Sequence, residues 1–150
     1  MRPAVVVLLV LVVASAATAG WTDIARVDDY IDAPRALFGR TLAELERTLG
    51  APASRRPRAA GAILIWPGLE VSASPSGRVA GVIVHAAGHA LPYGLDIGTP
   101  RARVEAVLGV APEMTDERYF YPDADGFPNS VEFVFRDGRV RRIEWRFWAD

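Results

Sequence analysis

The sequence predicts an α+β fold built from two tandem α-β-β(β) units, with short helices packed on one face of an antiparallel sheet. An amphipathic stretch that ends in Leu-Gly occurs twice, at Leu49-Gly50 and Leu108-Gly109, 59 positions apart. Both copies are followed by proline and then by strands in which apolar and polar residues alternate. Because a unit of roughly fifty residues buries too little surface alone, we expect both units to share one core beneath a sheet of about six strands.

Residues 1–19 have the pattern of a secretory signal peptide. A positively charged start at Arg2 precedes an apolar run that is short for a membrane span, and the run ends in the small residues Ala17-Thr18-Ala19. We expect cleavage after Ala19 and a periplasmic or secreted product with no stable membrane insertion. The alternative is a retained membrane anchor, but no basic stop-transfer flank follows the run.

The composition limits the classes of function. The 150-residue chain contains no cysteine, so disulfides and lipid attachment to a cysteine are both excluded. Its 17 basic residues are all arginine, and loss of Arg2 with the signal peptide leaves 16 of them against 18 acidic residues. This balance argues against nucleic acid as a partner, because nucleic-acid binding needs a concentrated basic face.

Residues 20–36 form a lead-in segment with weak helical periodicity at Ile24, Val27, Tyr30 and Ile31. We expect it to pack on the first unit. Asp28 and Asp32 would share one face of such a helix. They are interpreted either as a paired-carboxylate site or as a solvated acidic face.

The first unit covers residues 37–90. The sequence Thr41-Leu42-Ala43-Glu44 predicts a capping box, followed by a helix with its apolar stripe at Leu42, Leu45 and Leu49. Gly50 and Pro52 end that helix. We interpret the stretch 55–58 (Arg-Arg-Pro-Arg) as a basic loop, either a partner or anion contact or a solvated linker. Strands follow at 63–66, 69–73 and 79–84.

The second unit covers residues 91–150. We expect Thr99 to cap its helix, with Pro100 at the first helical position. Asp137-Gly138 between alternating stretches predicts a tight hairpin. In each unit the strand after the turn has a three-residue step between inward positions, from Val79 and from Val140, which indicates a bulge.

A characteristic order of glycine, apolar and aromatic residues runs through the second unit: Gly98, Val104, Leu108, Gly109, Pro112, Tyr121, Phe133, Phe135, Gly138 and Val140. This order resembles the SmpA/OmlA (BamE-like) and β-lactamase-inhibitor-like superfamily. The resemblance implies a periplasmic or secreted protein without enzymatic activity that binds other proteins, and in the inhibitor-like branch a tandem repeat that binds through its sheet.

Aromatic and arginine side chains near the strand ends are the candidate partner-binding residues, because these types dominate protein interfaces. On the last strand, Arg142, Glu144, Arg146 and Trp148 should share the face opposite the apolar residues. The alternative is a solvated sheet face with cross-strand ion pairs. The predicted partner-binding residues are Trp66, Tyr119, Tyr121, Arg142, Arg146 and Trp148.

Two patterns could bind a metal ion. His85 and His89 are four residues apart, but they straddle Gly88 after a strand, so we expect a linker with two exposed histidines. Asp123 and Asp125 resemble the start of a calcium loop without its later ligands, although Asn129 and Glu132 could supply oxygens. The other interpretation is an ordinary acidic turn. We predict no cofactor.

The pattern of a catalytic site is missing from the sequence. The chain has no thiol and no Gly-x-Ser-x-Gly motif, and no base is evident beside Ser130. We therefore expect a non-enzymatic envelope protein that binds another protein through either the sheet face or the loop at 122–130. More specifically, we expect an inhibitor or immunity protein against a secreted enzyme. The alternatives are a small-ligand or calcium-binding module and an unrecognised hydrolase.

Overall fold

The computed structural model describes residues 20–126 and 128–149, so the signal peptide predicted at 1–19 lies outside the described residues. The helices are α1 (Ile24–Phe38), α2 (Leu42–Leu49) and α3 (Arg101–Leu108), with a 3-10 turn at Pro92–Gly94. The strands are β1 (Ser54–Arg58), β2 (Gly61–Trp66), β3 (Leu69–Ala73), β4 (Val79–Val84), β5 (Glu113–Met114), β6 (Arg118–Pro122), β7 (Ser130–Arg136) and β8 (Arg139–Arg146). Within the described ranges, no helix is long and apolar enough to cross a membrane.

The strands form one antiparallel sheet of eight in the order β1-β2-β3-β4-β8-β7-β6-β5. The expectation of about six strands was too low because both edge strands were missed. The stretch predicted as a basic loop is edge strand β1, which pairs with β2 along its whole length. Its arginines and Pro57 suit an edge, where proline does not break a ladder and charge discourages pairing with other chains. At the opposite edge, β5 has only two residues.

The α+β class predicted from the sequence is confirmed, with a single core on one face of the sheet. Inward-facing residues of β2, β3, β4, β6, β7 and β8 join apolar residues of α1, α2 and α3 in one buried cluster. The capping box of α2 is present, since Glu44 N donates to Thr41 Oγ1 and Thr41 N donates to Glu44 Oε2, both at 3.3 Å. The Glu44 carboxylate also accepts from Arg40 N at 2.7 Å, and the hydrogen bonds from Arg40 N and Thr41 N lower the pKa of Glu44.

The sequence suggested that the lead-in segment packs on the first unit. In the structure it also contacts α3, in the second half of the chain. Its N-terminal end is bonded to α3 and the residues after it: Asp23 N donates to Leu108 O at 2.8 Å, and Thr22 Oγ1 donates to Val110 O at 2.5 Å. The periodicity showed which face of α1 is apolar but not which part of the sheet that face covers. Helix α1 therefore lies across the centre of the fold.

A proline inside α1 explains how this helix is held to the sheet. Pro34 has no N–H, so the carbonyl of Tyr30, four residues earlier, receives no intrahelical hydrogen bond at that position. The indole Nε1 of Trp145, in β8, donates to this carbonyl at 2.9 Å in the buried interior. The Tyr30 ring stacks on Trp145 with centroids 5.6 Å apart, and its hydroxyl donates to Leu95 O at 2.7 Å. Burial raises the pKa of Tyr30 well above its ordinary value.

The junction between helix and hairpin has the same backbone bonds in both halves of the chain. Leu42 N donates to Gly77 O at 2.9 Å, and Arg101 N donates to Gly138 O at 2.9 Å. In each case the first residue of a helix is bonded to the turn of the hairpin that the helix covers. The start of α3 differs from expectation in one respect, because its N-cap is Pro100 and the hydroxyl of Thr99 instead accepts from Asp96 N at 2.9 Å.

The glycine after each helix is also used in the same way twice. Gly50 and Gly109 both have φ +78°, with ψ near 180°, a conformation that only glycine adopts readily. The Trp66 indole donates to Gly50 O at 3.2 Å, and the Tyr121 hydroxyl donates to Gly109 O at 2.9 Å. The matching bulges predicted after each turn are present as well, with Ala80 and Arg141 as the extra residues.

We predict that Trp145→Phe lowers the free energy of unfolding by about 1–3 kcal/mol, because it leaves the buried Tyr30 carbonyl without a donor. In a Pro34→Ala background the loss should be smaller, since the substituted alanine has an N–H that can bond that carbonyl. Urea unfolding of the four proteins in this double-mutant cycle measures the coupling. An equal loss in both backgrounds would contradict the assigned role of the indole.

We predict that Gly109→Ala is more destabilising than Gly50→Ala. Both substitutions carry the same backbone strain, about 1–3 kcal/mol. At Gly109 the added methyl also meets the backbone of residues 21–23, whereas at Gly50 it meets nothing within 4 Å. The clash should add about 1–3 kcal/mol for Gly109→Ala in thermal or urea unfolding. Equal losses would mean that the segment before α1 does not pack on α3.

Candidate functional site

The face of the sheet opposite the helices, here called the open face, carries a continuous row of half-buried side chains. Register places them directly opposite one another on six adjacent strands, alternating apolar and acidic residues over most of the row. In order across the sheet they are Ile65, Glu70, Ile83, Glu144, Glu132 and Phe120. Such a mixed surface has apolar area for contact and charged groups that are already ordered by the strands.

A trough of about 600 Å³ lies beside this row on the open face. Its floor forms where Ser72 of β3 pairs with Gly81 of β4, next to the bulged Ala80. In the other half of the sheet, the pair at the same place beside the bulge is Val134 and Arg142, which are larger. The side chains that surround the floor are Arg58, Ile63, Glu70, Ile83, Pro128, Glu144 and Arg146.

Arginines hold the glutamates of the open face in place. Glu132 and Glu144 stand directly opposite on β7 and β8, where like charges repel. Arg118 Nη2 lies 3.0 Å from Glu132 Oε1, Arg146 Nη2 lies 3.3 Å from Glu144 Oε1, and Arg142 Nη2 lies 3.7 Å from Glu144 Oε2. Both glutamate side chains are less than one-fifth exposed, and the neighbouring guanidinium groups offset the repulsion between them.

Three of the predicted partner-binding residues are accessible at the surface. Arg142 and Arg146 project from β8 on the open face, opposite the buried Ile143 and Trp145. Trp148 follows the end of β8 and is 63% exposed, and its backbone N donates to Asn129 Oδ1 at 2.9 Å.

The loop at 122–130 adjoins the same end of the trough, because Pro128 and Arg146 both line it. The sequence left the sheet face and this loop as alternative binding surfaces. In the fold the two meet at Pro128, and Trp148 is hydrogen-bonded to Asn129 of the same loop.

The other three predicted residues face the helices and are not available to a partner. Trp66 is 7% exposed, Tyr119 4% and Tyr121 0%. The Tyr119 hydroxyl donates to Glu105 Oε2 at 3.1 Å, while Trp66 and Tyr121 bond the glycines that follow α2 and α3. Strand alternation puts these rings in phase with the core residues, and so their aromatic character serves packing. Burial, first among the causes, raises the pKa of Tyr119, and it raises that of Tyr121 also.

The acidic loop that contains Asp123 and Asp125 is organised by internal hydrogen bonds. Asp123 accepts from Asp125 N at 2.8 Å and from Asn129 Nδ2 at 3.3 Å. Glu132, the other suggested ligand, is paired with Arg118 instead. Among the described residues, no group of three or more His, Asp or Glu side chains is arranged to hold a metal ion. The arrangement is that of an acidic turn.

Asp28 of α1 approaches this loop, which the sequence did not indicate. Its Oδ1 accepts from Ala124 N at 3.5 Å. Partial burial raises the pKa of Asp28, and the charges of Asp123, Asp125 and Asp32 raise it further. Asp32 lies one turn along the same helix and is exposed, in agreement with the shared face that was predicted.

The remaining candidates do not form a catalytic or metal-binding group. His85 is exposed, with Nε2 4.0 Å from Glu70 Oε2, whereas His89 is half-buried and lies edge-on to Phe38 with centroids 5.7 Å apart. The expectation of two exposed histidines was therefore correct only for His85. Ser130 is 6% exposed and lies opposite Arg146 in the sheet.

Sequence reasoning missed the trough, whose floor depends on pairing between β3 and β4. One local signal was present: the run Ala80-Gly81 puts two small residues in a strand that otherwise consists of valine and isoleucine. Arg58 was noted only as part of a basic loop, and its place at one end of the trough follows from the pairing of β1 with β2.

We predict that Asp28→Asn stabilises the protein at neutral pH. Because the folded-state pKa of Asp28 is raised, its charge disfavours the folded state above that pKa, and protonation removes the penalty as the pH falls. The gain should shrink through the folded-state pKa and vanish below the ordinary value of 3.8. Thermal unfolding from pH 3 to 8, with the exposed-turn variant Asp137→Asn as control, measures it. Stabilisation of the wild type by calcium, lost in Asp28→Asn, would contradict this account and favour a calcium site.

Comparison with known proteins identifies folds of the same kind. No family model and no curated protein matches the chain. An extracellular protein containing an SCP domain from Bacillus anthracis str. Ames is similar over 75% of this chain, with a TM-score of 0.62 and 12% identity. The matched region is 44% of that protein, so this chain corresponds to less than half of its length.

A DUF4309 family protein (YjgB) from Bacillus subtilis subsp. subtilis str. 168 is also similar. The match covers 83% of this chain and 99% of that one, with a TM-score of 0.52 and 14% identity. At such identities the likeness shows the fold alone. Neither protein is described as a member of the superfamily that the sequence resembles, and that resemblance stays a prediction.

Proposed function

We propose that this chain is an exported, non-enzymatic protein of the cell envelope that binds another protein through the open face of its sheet. The observation that carries the proposal is the trough between Arg58 and Arg146, whose lining extends to Phe147, the residue before the exposed Trp148. A concave surface with arginine and tryptophan at its margin has the composition of interface hot spots. Half-buried Ile63 and Ile83 supply apolar contact area within it.

The ordering of this surface supports binding in preference to chemistry. Each of its glutamates has a carboxylate oxygen within 4 Å of an arginine nitrogen, and these ion pairs restrict the side chains on both sides. Side chains held in this way lose little conformational entropy when a partner docks. The more specific form of the proposal is an inhibitor or immunity protein against a secreted enzyme. Export rests on the signal-peptide pattern at 1–19.

A tandem arrangement of two α-β-β(β) units, 37–90 and 91–150, belongs to the same proposal, as does membership of the SmpA/OmlA and β-lactamase-inhibitor-like superfamily. The repeated junction bonds, the aromatic bonds to Gly50 and Gly109, and the bulges at Ala80 and Arg141 support two copies of one unit. The strand order supports it too, because it reads β1-β2-β3-β4 inward from one edge and β5-β6-β7-β8 inward from the other.

One alternative has a specific observation in its favour. The approach of Asp28 to Asp123 and Asp125 collects negative charge, as a calcium-binding module would. The internal hydrogen bonds of the loop weigh against it. The calcium arm of the Asp28→Asn experiment decides between the two. No contact among the described residues favours the hydrolase alternative.

We predict that Ala80→Trp abolishes binding of the partner by filling the trough. The matched control is Ala43→Trp, which makes the same change at an exposed position on α2. Residues 20–150 of each protein are immobilised, exposed to envelope extract, and the retained proteins are identified by mass spectrometry. At least one protein held by wild type and by Ala43→Trp should fall about tenfold or more with Ala80→Trp, since blocking a hot-spot pocket costs about 2 kcal/mol or more.

A triple variant of Arg142, Arg146 and Trp148 to alanine should lose the same protein. Circular dichroism and urea unfolding establish that each variant is folded. Equal recovery of every protein by wild type, Ala80→Trp and the triple variant would reject the open face as the binding surface.

A further inference from the structure

Positive charge is in excess around the trough. The lining of the trough is balanced, with Arg58 and Arg146 against Glu70 and Glu144, and the excess comes from two further arginines. These are Arg56 and Arg142, which lie next to the trough on β1 and β8. The described residues as a whole carry 16 arginines and 17 acidic side chains. The surroundings of the trough are therefore locally basic in a slightly acidic molecule. Four of the acidic residues are aspartates in or directly before α1, at positions 23, 28, 29 and 32.

The glutamates at the trough are already occupied. Glu70 Oε1 lies 3.7 Å from Arg56 Nη2, and Glu144 is shared between Arg142 and Arg146. Arg58 makes no ion pair within 4 Å among the residues that the structure describes, and the Arg146 side chain is 67% exposed. A guanidinium has five N–H donors, so both arginines keep donors free for an acceptor from outside.

We infer that the occupant of the trough is an extended, acidic segment of the protein partner, with one carboxylate at Arg58 and another at Arg146. This inference rests on the proposed function and specifies the chemistry of the partner. Arginine binds carboxylates through paired N–H donors, which gives both orientation and affinity. The small floor of Ser72, Ala80 and Gly81 leaves room for the backbone between the two carboxylates.

The spacing of the strands fixes the length of this segment. Arg58 lies on β1 and Arg146 on β8, four strand spacings apart in the order β1-β2-β3-β4-β8. At about 4.8 Å per spacing the two backbones are about 19 Å apart, which an extended chain covers in about five or six residues. A segment of this length carries one acidic residue at each end, so that each arginine binds its own carboxylate.

The test uses a capped hexapeptide, acetyl-Glu-Ser-Ala-Ser-Ala-Glu-amide, added to ¹⁵N-labelled residues 20–150. Amide chemical shifts should change at Ser72, Ala80 and Gly81, and they should change much less with the glutamine and lysine versions of the peptide. The variant R58Q/R146Q should bind about fivefold or more weakly, because each exposed ion pair contributes up to about fivefold. The matched control R47Q/R103Q, which removes two exposed arginines from α2 and α3, should bind like wild type.

The acidic-segment inference is overturned if the lysine peptide shifts the same amides equally, or if R47Q/R103Q weakens binding as much as R58Q/R146Q. It is also overturned if the glutamate peptide shifts no trough amide while the partner recovered from envelope extract is still lost with Ala80→Trp. In that last case the proposed function stands. Equal recovery of every protein with Ala80→Trp rejects the proposed function, whatever the peptide does.

Discussion

The hydrogen bond from Trp145 to the Tyr30 carbonyl is the contact on which the layered arrangement depends. A proline in the middle of a helix normally costs stability, because one carbonyl loses its donor in a place that water does not reach. Here that carbonyl faces the central strand of the sheet, and the indole supplies the missing donor. The proline that removes a hydrogen bond from α1 therefore also determines where the helix packs on the sheet. It holds the helix in one position over β8, because only there is the carbonyl satisfied.

The exposure of the opposite face follows from this arrangement. With α1 held over the centre and α2 and α3 beside it, all three helices cover the same side of the sheet. Because side chains alternate along a strand, every strand has one set that faces the helices and one set on the open face. In β8, Ile143 and Trp145 belong to the core, while Arg142 and Arg146 lie on the open face. Nothing among the described residues covers the second set. Its mixture of isoleucine, glutamate and arginine is more apolar than solvation alone requires, and this is the physical ground for treating it as a contact surface.

Local signals in the sequence predicted local structure well. The Thr41 and Glu44 capping box, the Asp137-Gly138 turn and both bulges depend on residues within a few positions of each other, and all are present.

Features that depend on distant pairing were not predictable in this way. Strand β1 exists because β2 offers it a partner, although its own residues resemble a linker. Trp66 and Tyr121 could be placed on one side of their strands from alternation, but which side the helices cover is decided by contacts such as that between the Tyr30 carbonyl and Trp145. The trough needs Ser72 to meet Gly81, and a single strand does not reveal that register.

Gly81 is the residue on which the floor of the trough depends most directly. Glycine inside a strand weakens it by about 0.5–1 kcal/mol, and it is usually explained by a backbone angle that other residues avoid. Gly81 has no such angle, in contrast to Gly77 at φ +80° in the preceding turn. A methyl at this position would lie 2.6 Å from the Ser72 hydroxyl and 3.3 Å from the Trp145 carbonyl, so it would narrow the floor and also press on β8. The corresponding pair in the other half of the sheet is larger, with Val134 opposite Arg142. The small residues at the floor reduce the stability of the strand, but they leave space on the open face. A segment of a bound partner can occupy that space.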